Sequence, residues 1–196
     1  IKSGLSKEIP AYIVNQVCGS GLRSVALGFQ GISTGDSKIV IAGGQENMSL
    51  APHTIRLREG RKLGDSKVID TMIKDGLWDA FNGYHMGVTA ENVAEKFKVT
   101  REDQDKFSLN SQKKAIISQR ENKFNDEIIN FKIKSNNSEI VFNKDEHPRD
   151  GINLESLSRL KPVFKKDGTV TAGNASGIND GAAAVTLMSE KEADKR

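Results

Sequence analysis

The chain has 196 residues, 36% hydrophobic and 28% charged, a globular composition that excludes a disordered polypeptide. A net charge of +3 from interspersed acids and bases is too mild to argue for nucleic acid, and no run is long enough for a membrane span. One cysteine excludes an internal disulfide framework and fits a reducing, cytoplasmic compartment; with only three scattered histidines it also argues against a structural zinc site.

In chain order, "AYIVNQV" (residues 11–17) reads as a short buried strand. After "CGSG", Leu22, Val25, Ala26 and Phe29 recur at helical spacing, with Gly35 as the stop. "KIVIAGG" (residues 38–44) is a second apolar strand, so residues 11–44 predict a parallel strand–helix–strand unit and a layered α/β domain. Residues 52–79 turn polar and basic with no dominant period, an excursion from the core. Thr89 is expected to cap a helix running to Phe97, and Thr100 with Asp103 opens a longer one through Lys114 or beyond. "IINFKIK" and "EIVF" alternate around "SNNS" as an antiparallel hairpin, and Leu154, Leu157 and Leu160 mark a short helix ending before Pro162. The tail is a glycine-rich loop leading into a strand of small residues, Ala182 to Met188. The first residue is Ile1, and the helix signal at Ser189 and Glu192 stops before any apolar face appears; both ends are read as cuts within a longer protein.

Cys18 sits in "VCGSG", at the turn from the first run into the first helix. There it adjoins unsatisfied backbone N–H groups and the positive end of the helix dipole, features that favour thiolate over thiol. Gly19 and Gly21 leave room for a bulky electrophile. Free cysteine is also a common buried filler, and the residues alone leave both readings open.

"NQVCGSGLRSVALGFQGISTGDSKIVIAGGQENMSLAPH", "GYHMGVTAENVAEKF", "REDQDKFSLNSQKKA" and "KPVFKKDGTVTAGNASGINDGAAA" together resemble the thiolase family, in order and spacing, over essentially the whole chain. The resemblance implies an α/β fold: part of a layered α/β/α thiolase-like domain with an inserted α+β loop domain. Residues 1–50 would carry the nucleophile, 51–168 the loop domain, and 169–196 the return to the first domain. It implies an acyltransferase that condenses two acetyl-CoA to acetoacetyl-CoA plus CoA, and the reverse thiolysis, with Cys18 accepting the acyl group. CoA thioesters would be substrates, with no permanently bound cofactor and no metal.

By the same resemblance His85 and Met86 shape the acyl and pantetheine pocket, and the histidine favours the biosynthetic acetyl-CoA acetyltransferase branch. Ala172 and Ser176 become pantetheine contacts, and Arg149 and Ser156 part of the cover over CoA. Read without it, His85 and Arg149 are surface or packing groups and Ser176 a turn-former. The excursion after Pro52 is similar to the loop by which many thiolases form tetramers, implying a homotetramer or homodimer, with no nucleic-acid or membrane partner.

The GHP, NEAF and CxGGG strings that supply the family's other catalytic groups do not occur, and His147 in "EHPRDG" is not given that role. The 196 residues alone are therefore expected to be inactive. A degradative 3-ketoacyl-CoA thiolase and a non-catalytic CoA-binding scaffold are the alternatives.

Overall fold

The computed structural model describes residues 3–58, 60, 63–135 and 138–196. In chain order the elements begin with α1 (Ser20–Thr34), β1 (Ile39–Asn47), β2 (His53–Thr54), β3 (Ile69–Asp70), a π-helical turn (Met72–Leu77), β4 (Trp78–Asp79) and β5 (Tyr84–His85). There follow α2 (Met86–Phe97), α3 (Arg101–Arg120), β6 (Phe131–Ser135), β7 (Ser138–Phe142), α4 (Leu154–Ser158), β8 (Asp180–Met188) and α5 (Glu190–Ala193). They fall into two compact units, Ile1–His53 with Asn179–Arg196, and Thr54–Ile178. Among the described residues no helix is long and apolar enough to cross a membrane.

In the first unit, α1 forms over the expected apolar periodicity and ends at Gly35. Its φ of 83° lets its N–H close on the Ile32 carbonyl, a left-handed cap that glycine adopts without strain. The sheet is an antiparallel ladder of β1 with β8, running from Ile39↔Met188 to Asn47↔Asp180. Small residues set its spacing. A Cβ on Gly43 would lie 2.3 Å from the Ala183 carbonyl oxygen, and one on Gly44 would lie 3.0 Å from the Cα of Gly21 in α1. Ser24 Oγ completes the helix–strand contact by donating to the Gly43 carbonyl at 2.8 Å. At the end of β8, Ser189 caps α5 by accepting the Glu192 N–H.

Residues 11–17 do not form the expected strand. Tyr12 and Ile13 are 75% and 98% exposed, and among the described residues the pairing there is an isolated bridge between Gln16 and Cys18. The parallel strand–helix–strand unit is thus replaced by an antiparallel pair whose second member comes from the far end of the sequence. An apolar run states a preference for burial but does not name its ladder partner.

In the second unit, α2 starts at Met86 rather than at Thr89, because the His85 side chain provides the cap: its Nδ1 accepts the Gly87 N–H at 2.9 Å. Thr100 and Asp103 form the reciprocal capping box that opens α3, which extends to Arg120. Strands β6 and β7 pair antiparallel from Phe131↔Phe142 to Ser135↔Ser138; the "NN" expected as their turn, at 136 and 137, lies outside the described residues. Asn153 and Ser156 cap α4, which stops before Pro162 as expected. Leu157, Thr171, Val170 and Ala94 form the buried centre. Residues 169–178 cluster with Thr54–Ile178, and side chains of α2 and α3 bind their backbone and polar groups.

Candidate active site

Cys18 is exposed and precedes Gly19, the N-cap of α1. The turn that presents it is strained and then locked. Val17 has φ 49°, the left-handed region that a β-branched residue rarely adopts. Asn15 Oδ1 accepts the Val17 N–H at 3.0 Å. The Ser20 hydroxyl accepts the Gln16 N–H at 2.8 Å and donates to the Val17 carbonyl at 2.7 Å. Gly19 N–H donates to the Gln16 carbonyl at 3.0 Å, and a Cβ on Gly19 would press on that oxygen at 3.3 Å.

The start of α1 has no side-chain cap and no acid in its first turn. The first turn of α1 itself therefore brings no carboxylate to offset the positive end of its dipole. A sulfur in this position faces solvent beside the positive end of a four-turn helix. That arrangement suits a nucleophile attacking a carbonyl whose oxygen becomes negative.

Cys18 lies in the first unit, whereas His85, Met86, Arg149, Ser156, Ala172 and Ser176 lie in the second. The His85 ring stacks on Phe164, centroids 4.8 Å apart at 20°. Its Nδ1 is taken by the Gly87 N–H, which leaves the ring proton on Nε2. A Cβ on Gly87 would enter the Phe164 ring at 2.3 Å, so glycine is what admits the stack. Met86 begins α2 and is 44% exposed. Arg149 is exposed, and its backbone N–H donates to Gln112 Oε1 of α3 at 2.9 Å. The Ser156 hydroxyl is engaged in its own helix cap, donating to the Asn153 carbonyl at 2.8 Å. Ala172 and Ser176 are exposed on the loop that follows the buried Val170–Thr171 pair.

The groups that hold this loop were not singled out in the sequence. Glu91, 4% exposed, accepts the backbone N–H groups of Thr169 and Val170 at 2.9 and 2.8 Å and the Thr169 hydroxyl at 3.0 Å. Burial alone would raise the Glu91 pKa. The N–H groups of Val170 and Thr169, the Thr169 hydroxyl and the Lys165 charge outweigh it and hold the carboxyl below its usual range. Gly168 must be glycine here, since a Cβ would lie 2.2 Å from Glu91 Oε1. Asp105, 3% exposed, accepts from Asn174 Nδ2 at 3.0 Å. A sequence signal for Glu91 existed: Gly87, Glu91 and Ala94 fall on one helical face, the face that is buried. An open cleft of about 360 Å³ beside Gly168 and Lys98 is lined by none of the seven expected site residues.

The chain matches the model of the thiolase N-terminal domain over residues 1–191. It is 58% identical over 196 residues to the acetyl-CoA acetyltransferase of Rhizobium meliloti strain 1021, covering 100% of this chain and 50% of that protein. The acetyl-CoA acetyltransferase of Paracoccus denitrificans is likewise 58% identical over the same span and share. Among solved structures, human mitochondrial 3-ketoacyl-CoA thiolase superposes with a TM-score of 0.94 at 43% identity, over 99% of this chain and 49% of that one. The chain spans about half the length of the curated relatives it matches. With the family model covering nearly every residue and the fold matching throughout, the chain belongs to the thiolase family.

Proposed function

We propose that the protein to which these residues belong is an acetyl-CoA acetyltransferase. It condenses two acetyl-CoA to acetoacetyl-CoA and CoA, and runs the reverse thiolysis, through an acyl group carried on Cys18. The observation that carries the reading is the exposed Cys18 sulfur on a locked turn at the uncapped start of α1. Two relatives of that name, each 58% identical along the whole chain, support it.

In the first half-reaction the Cys18 thiolate attacks the thioester carbonyl, a C–S bond forms, and CoA leaves as its thiolate. The Gly19 and Ser20 N–H groups are spent on the Gln16 and Val17 carbonyls, so in this reading it is the backbone N–H of Cys18 that serves as one donor to the transient oxyanion. In the second, a base takes a proton from the methyl group of another acetyl-CoA, the resulting carbanion attacks the acyl carbon, and the Cys18 sulfur departs. The strings that supply this base in the family do not occur in the 196 residues, which by themselves turn over little or nothing.

In this reading His85 and Met86 bound the acyl and pantetheine pocket, Ala172 and Ser176 line the pantetheine channel, and Arg149 with Ser156 covers the nucleotide end. Arginine suits that end because its planar charge pairs with phosphate and stacks on adenine. No cofactor is held permanently, the assembly is a homotetramer or homodimer, and the free thiol fits a cytoplasmic location.

A degradative 3-ketoacyl-CoA thiolase is the second reading, favoured by the 43% identity to the human mitochondrial enzyme of that name. Activity on acetoacetyl-CoA against longer ketoacyl-CoAs separates the two. The decisive test is radiolabelled acetyl-CoA given to the full-length protein, followed by peptide mapping. A hydroxylamine-labile label on the Cys18 peptide is expected; its absence leaves the non-catalytic scaffold standing and removes the catalytic reading.

A further inference from the structure

Asp105 is a buried carboxylate with both oxygens committed to different parts of the second unit. Oδ1 accepts from Asn174 Nδ2 at 3.0 Å. Asn174 also donates to the Thr169 carbonyl at 3.1 Å and accepts the Thr171 N–H at 2.8 Å, so one amide pins the loop that carries Ala172 and Ser176. Oδ2 accepts from Arg101 Nε at 2.8 Å. The rest of that guanidinium donates to the carbonyls of Leu157 and Leu160, at 2.5 and 3.1 Å, at the end of the helix that carries Ser156. A carboxylate with its two oxygens divided in this way links two segments that share no backbone ladder.

A second observation is independent of the hydrogen bonds. A Cβ on Gly173 would lie 2.5 Å from Leu157 Cδ2 and 2.6 Å from Leu160 Cδ1, so the loop backbone rests directly on a leucine of α4 and one just beyond its end. One turn along α3 from Asp105, the Ser108 hydroxyl donates to the Gly173 carbonyl. The face of α3 that holds Asp105 therefore meets the loop at two points, Asn174 and Gly173.

We propose that Asp105, with Arg101 and Asn174, is a positioning residue for CoA-thioester binding. It fixes the Ala172–Ser176 loop to the Ser156 helix so that both meet the ligand as one preorganised surface. This rests on the reading of those segments as CoA contacts. The cost of ordering the loop is met in the folded protein rather than on binding, so losing the link weakens substrate capture more than chemistry.

The experiment uses the full-length protein, with CoA binding followed by calorimetry and thiolysis of acetoacetyl-CoA followed by steady-state kinetics. Asp105→Asn keeps an oxygen for Asn174 and places an amide against the Arg101 N–H. It is expected to raise Kd and KM for CoA about tenfold while kcat stays within about twofold. Arg101→Lys keeps a charge for Asp105 but loses the two-carbonyl fork, with an expected rise of about threefold. A purely structural role would lower the amount of active protein and leave KM untouched. If Asp105→Asn does not fold, Arg101→Lys is judged by the same split. Unchanged KM in the variants, with CoA binding intact in the wild type, overturns the proposal alone; absence of CoA binding in the wild type overturns the underlying reading.

Discussion

Ser20 holds Val17 in its left-handed conformation: the hydroxyl donates to the Val17 carbonyl at 2.7 Å while accepting the Gln16 N–H at 2.8 Å. Strain of this kind costs on the order of 1–3 kcal/mol and persists only where surrounding bonds over-determine it. Ser20→Ala removes both bonds and is expected to lower stability by about 1–2 kcal/mol. The acylation rate of Cys18 should fall about tenfold as the sulfur loses its fixed aim. Ser20→Thr, which keeps the hydroxyl, should restore most of that rate. Rapid-quench acylation with labelled acetyl-CoA reads the effect, and equal rates for Ser20→Ala and wild type would show that the clamp is irrelevant to the chemistry.

Cys18→Ser tests the nucleophile itself. Both condensation and thiolysis are expected to be lost, by about 10³-fold or more, with CoA binding retained. Near-normal turnover would refute the assignment.

Glu91 makes a prediction about acid. Its folded-state pKa lies below the ordinary 4.5, so its contribution to stability is fully present above that value and lost as pH falls through the lower folded-state value. Glu91→Gln puts amide hydrogens against donors and is expected to cost about 2–3 kcal/mol at pH 7. The gap between wild type and variant in urea midpoints should be constant from pH 7 to about 5 and shrink below it. A gap that persists unchanged to pH 3 would mean that the carboxylate charge is not what holds Thr169 and Val170.

Gly87→Ala is a packing test. The added methyl meets the Phe164 ring at 2.3 Å, so the ring must leave its stack on His85. Overpacking of this sort costs about 1–3 kcal/mol. The expected thermal destabilisation should be relieved in the double variant Gly87→Ala/Phe164→Leu; no relief would place the strain elsewhere.

What could be read from the residues was local. The Gly35 stop, the Thr100–Asp103 box and the Ser189 cap each rest on bonds spanning a few residues, and all three stand in the structure. The start of α2 was misplaced because an imidazole, not the Thr89 hydroxyl, satisfies the first turn. Residues 11–17 are not a strand, and the ladder that does form joins β1 to β8, a partner that sequence order does not bring near. Glu91 and Asp105 are not singled out by the sequence, since their partners Thr169 and Asn174 lie 78 and 69 residues away. The exposure of Cys18 follows from the helix start that the "VCGSG" pattern marks, whereas the Ser20 clamp depends on a Val17 dihedral that no composition announces.

The ladder between β1 and β8 has a consequence for synthesis. Ile39 leaves the ribosome early, but its partner Met188 is among the final residues of this stretch to be made. The second unit, continuous from Thr54 to Ile178, is complete before that partner emerges. Within this stretch the order is from the middle outward: the second unit can settle first, while the edge of β1 that β8 will cover waits for its partner.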